Sequence, residues 1–197
     1  AALETLRQPL EDREVTVSRV EATVTYPANF QLVAAMNPCP CGHFPDLARC
    51  RCTEGQITRY LQKISGPLLD RIDLCVEASP VTYGDVRGGG ENEASGAIRA
   101  RVEQAREIQK ERFMEENIRC NGEMSGRHIR KYCVLGKEEE TFMEEVFEKL
   151  ALSARMHDRI LKVARTTADL AGESKIRLSD LCEAVSYVKS REKFWGN

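Results

Sequence analysis

Apolar residues recur at two spacings along this chain, and the change from one to the other divides it. Leu3, Leu6 and Leu10 repeat at helical intervals, so residues 2–11 read as the end of a helix. EVTVSRVEATVTYP (14–27) then alternates apolar and polar positions. Val15 and Val17 precede a polar break, and Val20, Ala22, Val24 and Tyr26 follow it, which predicts a hairpin that Pro27 ends. FQLVAAM (30–36) is a short continuous apolar run, the pattern of a strand buried on both faces. Ile57, Tyr60, Leu61 and Ile64 place a helix over 54–64. SGPLLDRIDLCVEA (65–78) holds a Gly-Pro break, one turn, and a second buried strand from about Ile72.

From YGDVRGGGENEASG (83–96) onward the pattern changes. That stretch is glycine-rich and polar, the composition of a link. Beyond it the spacing is helical. Ile98, Val102, Ala105 and Ile108 form one stripe, NIRCNGEMSG (117–126) interrupts it, and Phe142, Val146 and Leu150 form another. Ser153 is placed to cap a helix reaching Ala171, with Gly172 as its C-terminal stop, and Leu178, Leu181, Val185 and Val188 mark a last helix. The expected organisation is the tail of an α/β domain (1–82), a linker (83–96) and an all-α bundle (97–197).

Composition changes this picture in three ways. With 42% hydrophobic residues, 197 residues can bury a core. The net charge of -2 argues neither for nor against nucleic acid, because a neutral mean can hide a basic face. RARVEQAR and GRHIRK are basic, but KEEETFMEEVFEK offsets them, the mixture of an ordinary solvated helix surface. Arg159 and Arg165 read as charges on such a surface. No apolar run is long enough to cross a bilayer, and the first residues carry no signal-peptide pattern, so the expected setting is cytoplasmic with no membrane partner. The start at Ala1, already in a helical pattern, reads as a piece of a longer protein.

Four of the eight cysteines fall in PCPCGHFPDLARCRC. Cys39, Cys41, Cys50 and Cys52 offer four soft ligands, a set that suits tetrahedral zinc with no open position and therefore a structural role. GHFPDLAR is long enough to turn back and close the site, helped by Gly42 and Pro45. His43 could replace one thiolate, an iron–sulfur cluster is a minor alternative, and unrelated reduced cysteines or an adventitious disulfide are the plain reading. Cys75, Cys120, Cys133 and Cys182 are scattered and read as reduced packing residues.

Three polar residues stand at places where chemistry is possible. Asn37 follows the expected strand at its carboxyl end, the edge where ligands bind in open α/β sheets, although an Asn before Pro38 is also a common turn former. Arg71, between Asp70 and Asp73, is either a local ion pair or a planar fork presented to a phosphate. Arg155 lies in the first turn of its helix, where a cation opposes the helix dipole while an anion would be welcome.

LRQPLEDREVTVSR, YPANFQLVAAMNPCPCG, CRC, RYLQKISGPLLDRIDL and LSARMHDRILKVARTTADLAG together resemble the ComM/YifB family of magnesium-chelatase-like AAA+ ATPases, over essentially the whole chain. The resemblance implies the C-terminal part of an AAA+ P-loop ATPase core followed by a helical lid. It implies that Asn37 is sensor 1, which orients water and senses the γ-phosphate. Arg71 would be an arginine finger acting in trans, and Arg155 sensor 2 at the S-x-R motif. It further implies ATP and Mg2+ as cofactors of the intact protein, a homo-hexameric ring, DNA as partner, and an N-terminal Lon-protease-like domain elsewhere in the parent. The hairpin matches one inserted before sensor 1, and Arg19 near its turn is a weak candidate for phosphate contact.

The sequence contains no G-x-x-x-x-G-K followed by Ser or Thr, and no acidic Walker B run. The chain alone is therefore expected not to hydrolyse ATP. Three functions stand: part of an ATP-driven DNA translocase or branch-migration helicase of transformation, a chelatase-type ATPase that remodels a protein partner, or a zinc-stabilised interaction module without catalysis.

Overall fold

A computed structural model describes residues 2–79, 81, 83–87 and 93–195. These form two compact units. One runs to Asp73 and takes in the chain from Glu192 on; the other covers Leu74–Arg191.

The first unit opens with a 3-10 turn (Ala2–Leu6) running into α1 (Arg7–Asp12). Arg13 ends the helix in the left-handed region at φ 59°, its amide donating to the Pro9 carbonyl. The predicted hairpin follows. Strand β1 (Glu14–Ser18) pairs antiparallel with β2 (Thr23–Pro27), Val15 opposite Tyr26 and Val17 opposite Val24. Alternation therefore puts Val15, Val17, Val24 and Tyr26 on one face. The other face is a ladder of hydroxyls, Thr16 to Thr25 at 3.0 Å and Ser18 to Thr23 at 3.1 Å. Arg19 and Ala22 exchange both backbone hydrogen bonds across the turn, which leaves Val20 fully exposed at the tip.

Two expectations fail in this region. Neither 30–36 nor the run from Ile72 to Ala78 is a strand among the described residues, and Val33 is 84% and Val76 73% exposed. A strand buried on both faces needs neighbours at its edges and layers above and below. The sheet described here holds β1 and β2 only. The hairpin forms because its partner lies five residues away; the two apolar runs need partners from farther off. Asn37 accordingly lies at the end of an exposed, irregular segment instead of a buried strand.

After the cysteine segment come α2 (Glu54–Leu61) and α3 (Gly66–Leu69). Thr53 and Gln56 cap α2 reciprocally, side chain to backbone in both directions, and Ser65 caps α3 with Pro67 in its first turn. Leu61, Leu68 and Leu69 are buried, and the Trp195 indole donates to the Leu61 carbonyl at 3.2 Å.

The second unit is helical. Of the expected link 83–96, residues 88–92 lie outside the described residues, and Tyr83–Arg87 is a short helix, α4. Then come α5 (Ser95–Arg112), a 3-10 turn (Asn121–Glu123), α6 (Gly126–Tyr132), α7 (Lys137–Lys149), α8 (Ala154–Leu170) and α9 (Leu178–Trp195). Ser153 caps α8, its hydroxyl accepting from the Met156 amide at 3.2 Å. Gly172 at φ +72° ends it in a Schellman motif, with Glu173 donating to the Ala168 carbonyl and Gly172 to that of Asp169. The buried stripe of α8 (Met156, Ile160, Leu161, Ala164) joins Phe113, Met143, Val146, Leu181 and Val185 in one core.

Inside that stripe sits a charge network. Asp169, with a fully buried side chain, accepts a fork of two hydrogen bonds from Arg112. It also accepts from Arg165 Nε at 3.1 Å and Asn121 Nδ2 at 2.7 Å. The remaining Arg165 donors reach the carbonyls of Ser174 and Glu173 at 2.9 and 2.6 Å. Arg165 is thus 2% exposed, contrary to its reading as a surface charge. It continues the stripe one turn beyond Leu161, and it is tolerated inside because three acceptor atoms, the Asp169 carboxylate and the carbonyls of Glu173 and Ser174, replace water. Removing the carboxylate would leave two guanidiniums desolvated around an empty place. Asp169→Ala should lower unfolding stability by about 3–5 kcal/mol in urea titration, with Asp169→Asn intermediate.

A second cluster lies at the rim. The Glu116 carboxylate accepts from Lys131 at 2.8 Å, Tyr132 at 3.0 Å and Arg127 at 2.9 Å. The hydrogen bond from Lys131, then that from Tyr132, holds it at about 2, below the ordinary 4.5. The folded state favours the ionised form, so this stabilisation is complete above pH 4.5 and is lost as pH falls through 2. The difference in melting temperature between the native chain and Glu116→Gln should therefore be constant near neutrality and shrink between pH 4.5 and 2.

Candidate functional site

The segment between Asn37 and Thr53 contains no regular element. Its shape comes from turns. The Gly42 amide donates to the Cys39 carbonyl at 3.1 Å, with Gly42 at φ +81°, and the Asp46 amide donates to His43 at 2.8 Å. The Cys50 amide then reaches back to the Asp46 carbonyl at 2.7 Å. These turns fold the chain onto itself and bring the two C-x-C pairs together.

The four sulfurs of Cys39, Cys41, Cys50 and Cys52 lie within 4.8 Å of one another. Cys39 is 3.4 Å from Cys41 and 3.8 Å from Cys50, and Cys41 is 3.6 Å from Cys50. A tetrahedral centre with bonds of about 2.3 Å sets its sulfurs about 3.8 Å apart, so this cage is already the size a tetrahedral thiolate site requires. No two of these sulfurs are joined in a disulfide. The donor set is the four sulfurs, and the His43 ring is not part of it.

Backbone amides aim at the cage. The Phe44 amide donates to Cys39 Sγ at 3.4 Å. The amides of His43 and then Arg51 bring the Cys41 thiol down to about 6, while burial pushes Cys52 up to about 12. A soft cation binding these sulfurs would displace their remaining thiol protons. The arrangement can hold a metal; with four sulfurs it leaves no open position for substrate.

Asn37 lies against this cage. A Cβ built on Gly42 would be 3.6 Å from both Cγ and Nδ2 of Asn37 and 3.8 Å from Oδ1. The whole carboxamide therefore rests over the glycine, and Asn37 itself is exposed. Sequence spacing alone separates these features into two sites; the structure sets the carboxamide beside the turn that carries Cys41.

Arg71 follows α3 and is mostly covered, its side chain 15% exposed. One guanidinium nitrogen donates to the Pro67 carbonyl at 2.6 Å and another forms an ion pair with Glu11 of α1. Glu11 was not singled out by sequence reading, because sixty residues separate the two and no short motif links them. Arg155 belongs to the second unit, exposed in the first turn of α8 just after the Ser153 cap. Arg19 is exposed at the hairpin turn. No helix among the described residues is long and apolar enough to cross a membrane.

Comparison with known proteins gives the same direction over nearly the whole length. Residues 1–86 match the model of magnesium chelatase, subunit ChlI, and residues 92–188 that of its C-terminal part. The competence protein ComM of Haemophilus influenzae is 43% identical over 186 residues, 94% of this chain and 36% of that protein. YifB of Salmonella typhimurium is 42% identical over 186 residues, again 94% and 36%. A Mycobacterium tuberculosis protein is 38% identical over 187 residues, 95% and 37%. The chain belongs to the ComM/YifB family. It spans about a third of the length of the curated relatives it matches. In ComM/YifB terms, the cysteine cage, Asn37 and Arg71 fall in the chelatase-like part, and Arg155 in the part matched by the C-terminal model.

Proposed function

We propose that this chain is the nucleotide-sensing and lid portion of an ATP-driven AAA+ ring motor that acts on DNA. The observation that supports the proposal is 43% identity to a competence protein over 94% of this chain, together with the motif resemblance in which Asn37, Arg71 and Arg155 match the family's nucleotide-reading residues. Asn37 presents an exposed carboxamide, able to hold a water by its oxygen and to donate to a phosphate by its nitrogen. Arg71 would act in trans, exchanging Glu11 for the oxygens of a neighbouring subunit's γ-phosphate, which a planar fork suits. Arg155 stands at a helix N-terminus, where dipole and side chain would together attract an anion. Bound Mg2+ would neutralise charge on the phosphates. The glycine loop that cradles phosphate is not in this sequence, so the chain alone is inactive on this reading.

The ring is homo-hexameric in this proposal, and the β1–β2 hairpin, with Arg19 and Val20 at its exposed turn, is the element offered to DNA. The match to a magnesium chelatase subunit supports a second reading, an ATPase that remodels a protein partner. Hydrolysis by the full-length protein separates them. Stimulation by branched DNA, lost about 10³-fold or more in Arg71→Ala, is the expected result. A rate indifferent to both DNA and Arg71 would overturn the DNA motor and leave partner remodelling.

The thiolate cage is assigned structural zinc. One Zn2+ per reduced chain is expected, with Co2+ substitution giving a thiolate charge-transfer absorption that Cys50→Ser abolishes. Because an ion bound only by the folded cage stabilises it, chelation should speed amide hydrogen exchange over residues 37–53 while α8 keeps its protection. A visible iron–sulfur chromophore, or no bound metal, would overturn the assignment.

A further inference from the structure

We infer that the metal cage is also the positioning device for Asn37, so that metal occupancy sets where this carboxamide points. The inference rests on the reading of Asn37 as the nucleotide sensor, but its geometry stands independently. Asn37 is joined to Cys39 through Pro38 alone, a residue whose ring fixes φ. Gly42 is bonded directly to Cys41, and its amide is accepted by the carbonyl of Cys39. The carboxamide and the surface it rests on are thus both anchored at sulfur ligands, one within two residues and the other within one.

The backbone here calls for glycine. At φ +81° an L side chain is strained, and a Cβ there would come into ordinary contact with the carboxamide, 3.6 Å from its Cγ and Nδ2. A branched side chain both strains the turn and crowds the carboxamide. Among the described residues, the Asn37 side chain makes no hydrogen bond that would hold it instead. Its place therefore depends on the rigidity of the turn beneath it. A cation binding four sulfurs makes that turn rigid. Without the cation, sulfurs held 3.4–3.8 Å apart have no common centre. Gly42 is accordingly a positioning residue: the Asn37 carboxamide lies over the face where its Cβ would be, and Gly42 would not touch nucleotide.

The test follows the side-chain amide protons of Asn37 by NMR in the zinc-loaded, reduced chain, assigned by their loss in Asn37→Asp. The buried Asn121 amide, held by Asp169 and Thr166 in the other unit, serves as internal reference. Removing Zn2+ with a chelator should move or broaden the Asn37 pair toward free-amide values, leave Asn121 unchanged, and reverse when Zn2+ returns. Asn37 signals indifferent to verified metal loss would overturn the inference. So would concurrent collapse of Asn121, which would make the metal a global stabiliser.

Gly42→Val supplies the functional arm in the full-length protein. It should keep one Zn2+ per chain and lower kcat for ATP about tenfold to a hundredfold, with KM within about twofold. Equal loss of zinc and activity would instead mean a merely structural glycine and overturn the positioning role. If the NMR response holds while hydrolysis ignores Arg71 and DNA, the motor proposal fails and the coupling of cage to Asn37 survives.

Discussion

The helical unit depends on how one buried carboxylate is satisfied. Asp169 gathers Arg112 from α5, Asn121 from the 3-10 turn and Arg165 from its own helix. Arg165 in turn holds the carbonyls just beyond the Schellman turn. Apolar packing brings α5, α8 and the chain between them together, but hydrophobic contact is non-directional and would permit several registers. A charge with fixed donors permits one. The register of α8 also fixes its first turn, where Ser153 caps and Arg155 is displayed.

The smaller unit solves the same problem with sulfur. Residues 37–53 have almost no apolar core; of that stretch only Cys39 is fully buried. Turns shape the loop, yet turns of this kind are individually weak. Four sulfurs brought within a tetrahedral radius offer a single strong centre in place of many weak contacts. Such a centre costs little sequence, and it can stand beside an exposed polar residue without covering it. Asn37 uses that arrangement: it is supported on one side by Gly42 and open on the other.

Arg71 and Arg155 illustrate two ways of holding a cation ready. Arg71 is mostly covered and held by Glu11 and a backbone carbonyl, so a phosphate would have to compete with an existing carboxylate. Arg155 is exposed at a helix start whose dipole disfavours it. In the proposed motor the first arrangement suits a switch between partners, and the second displays a cation at a helix start.

Local patterns in the sequence by themselves determined the hairpin, the helices of the second unit, the Ser153 cap, the Gly172 stop and the four-sulfur set. Each depends on residues a few positions apart, where spacing is geometry. Tertiary structure decided whatever required a distant partner. The runs 30–36 and 72–78 look like buried strands by composition, but burial is conferred by neighbours, and none flanks them among the described residues. Arg165 looks like a surface charge until Arg112 and Asp169 are brought to it from across the unit. Glu11 meets Arg71 over sixty residues, and Asn37 meets Gly42 only because the turn beneath it closes. Sequence periodicity records which face a residue occupies; which partner satisfies its charge or supports its side chain is set by chain closure.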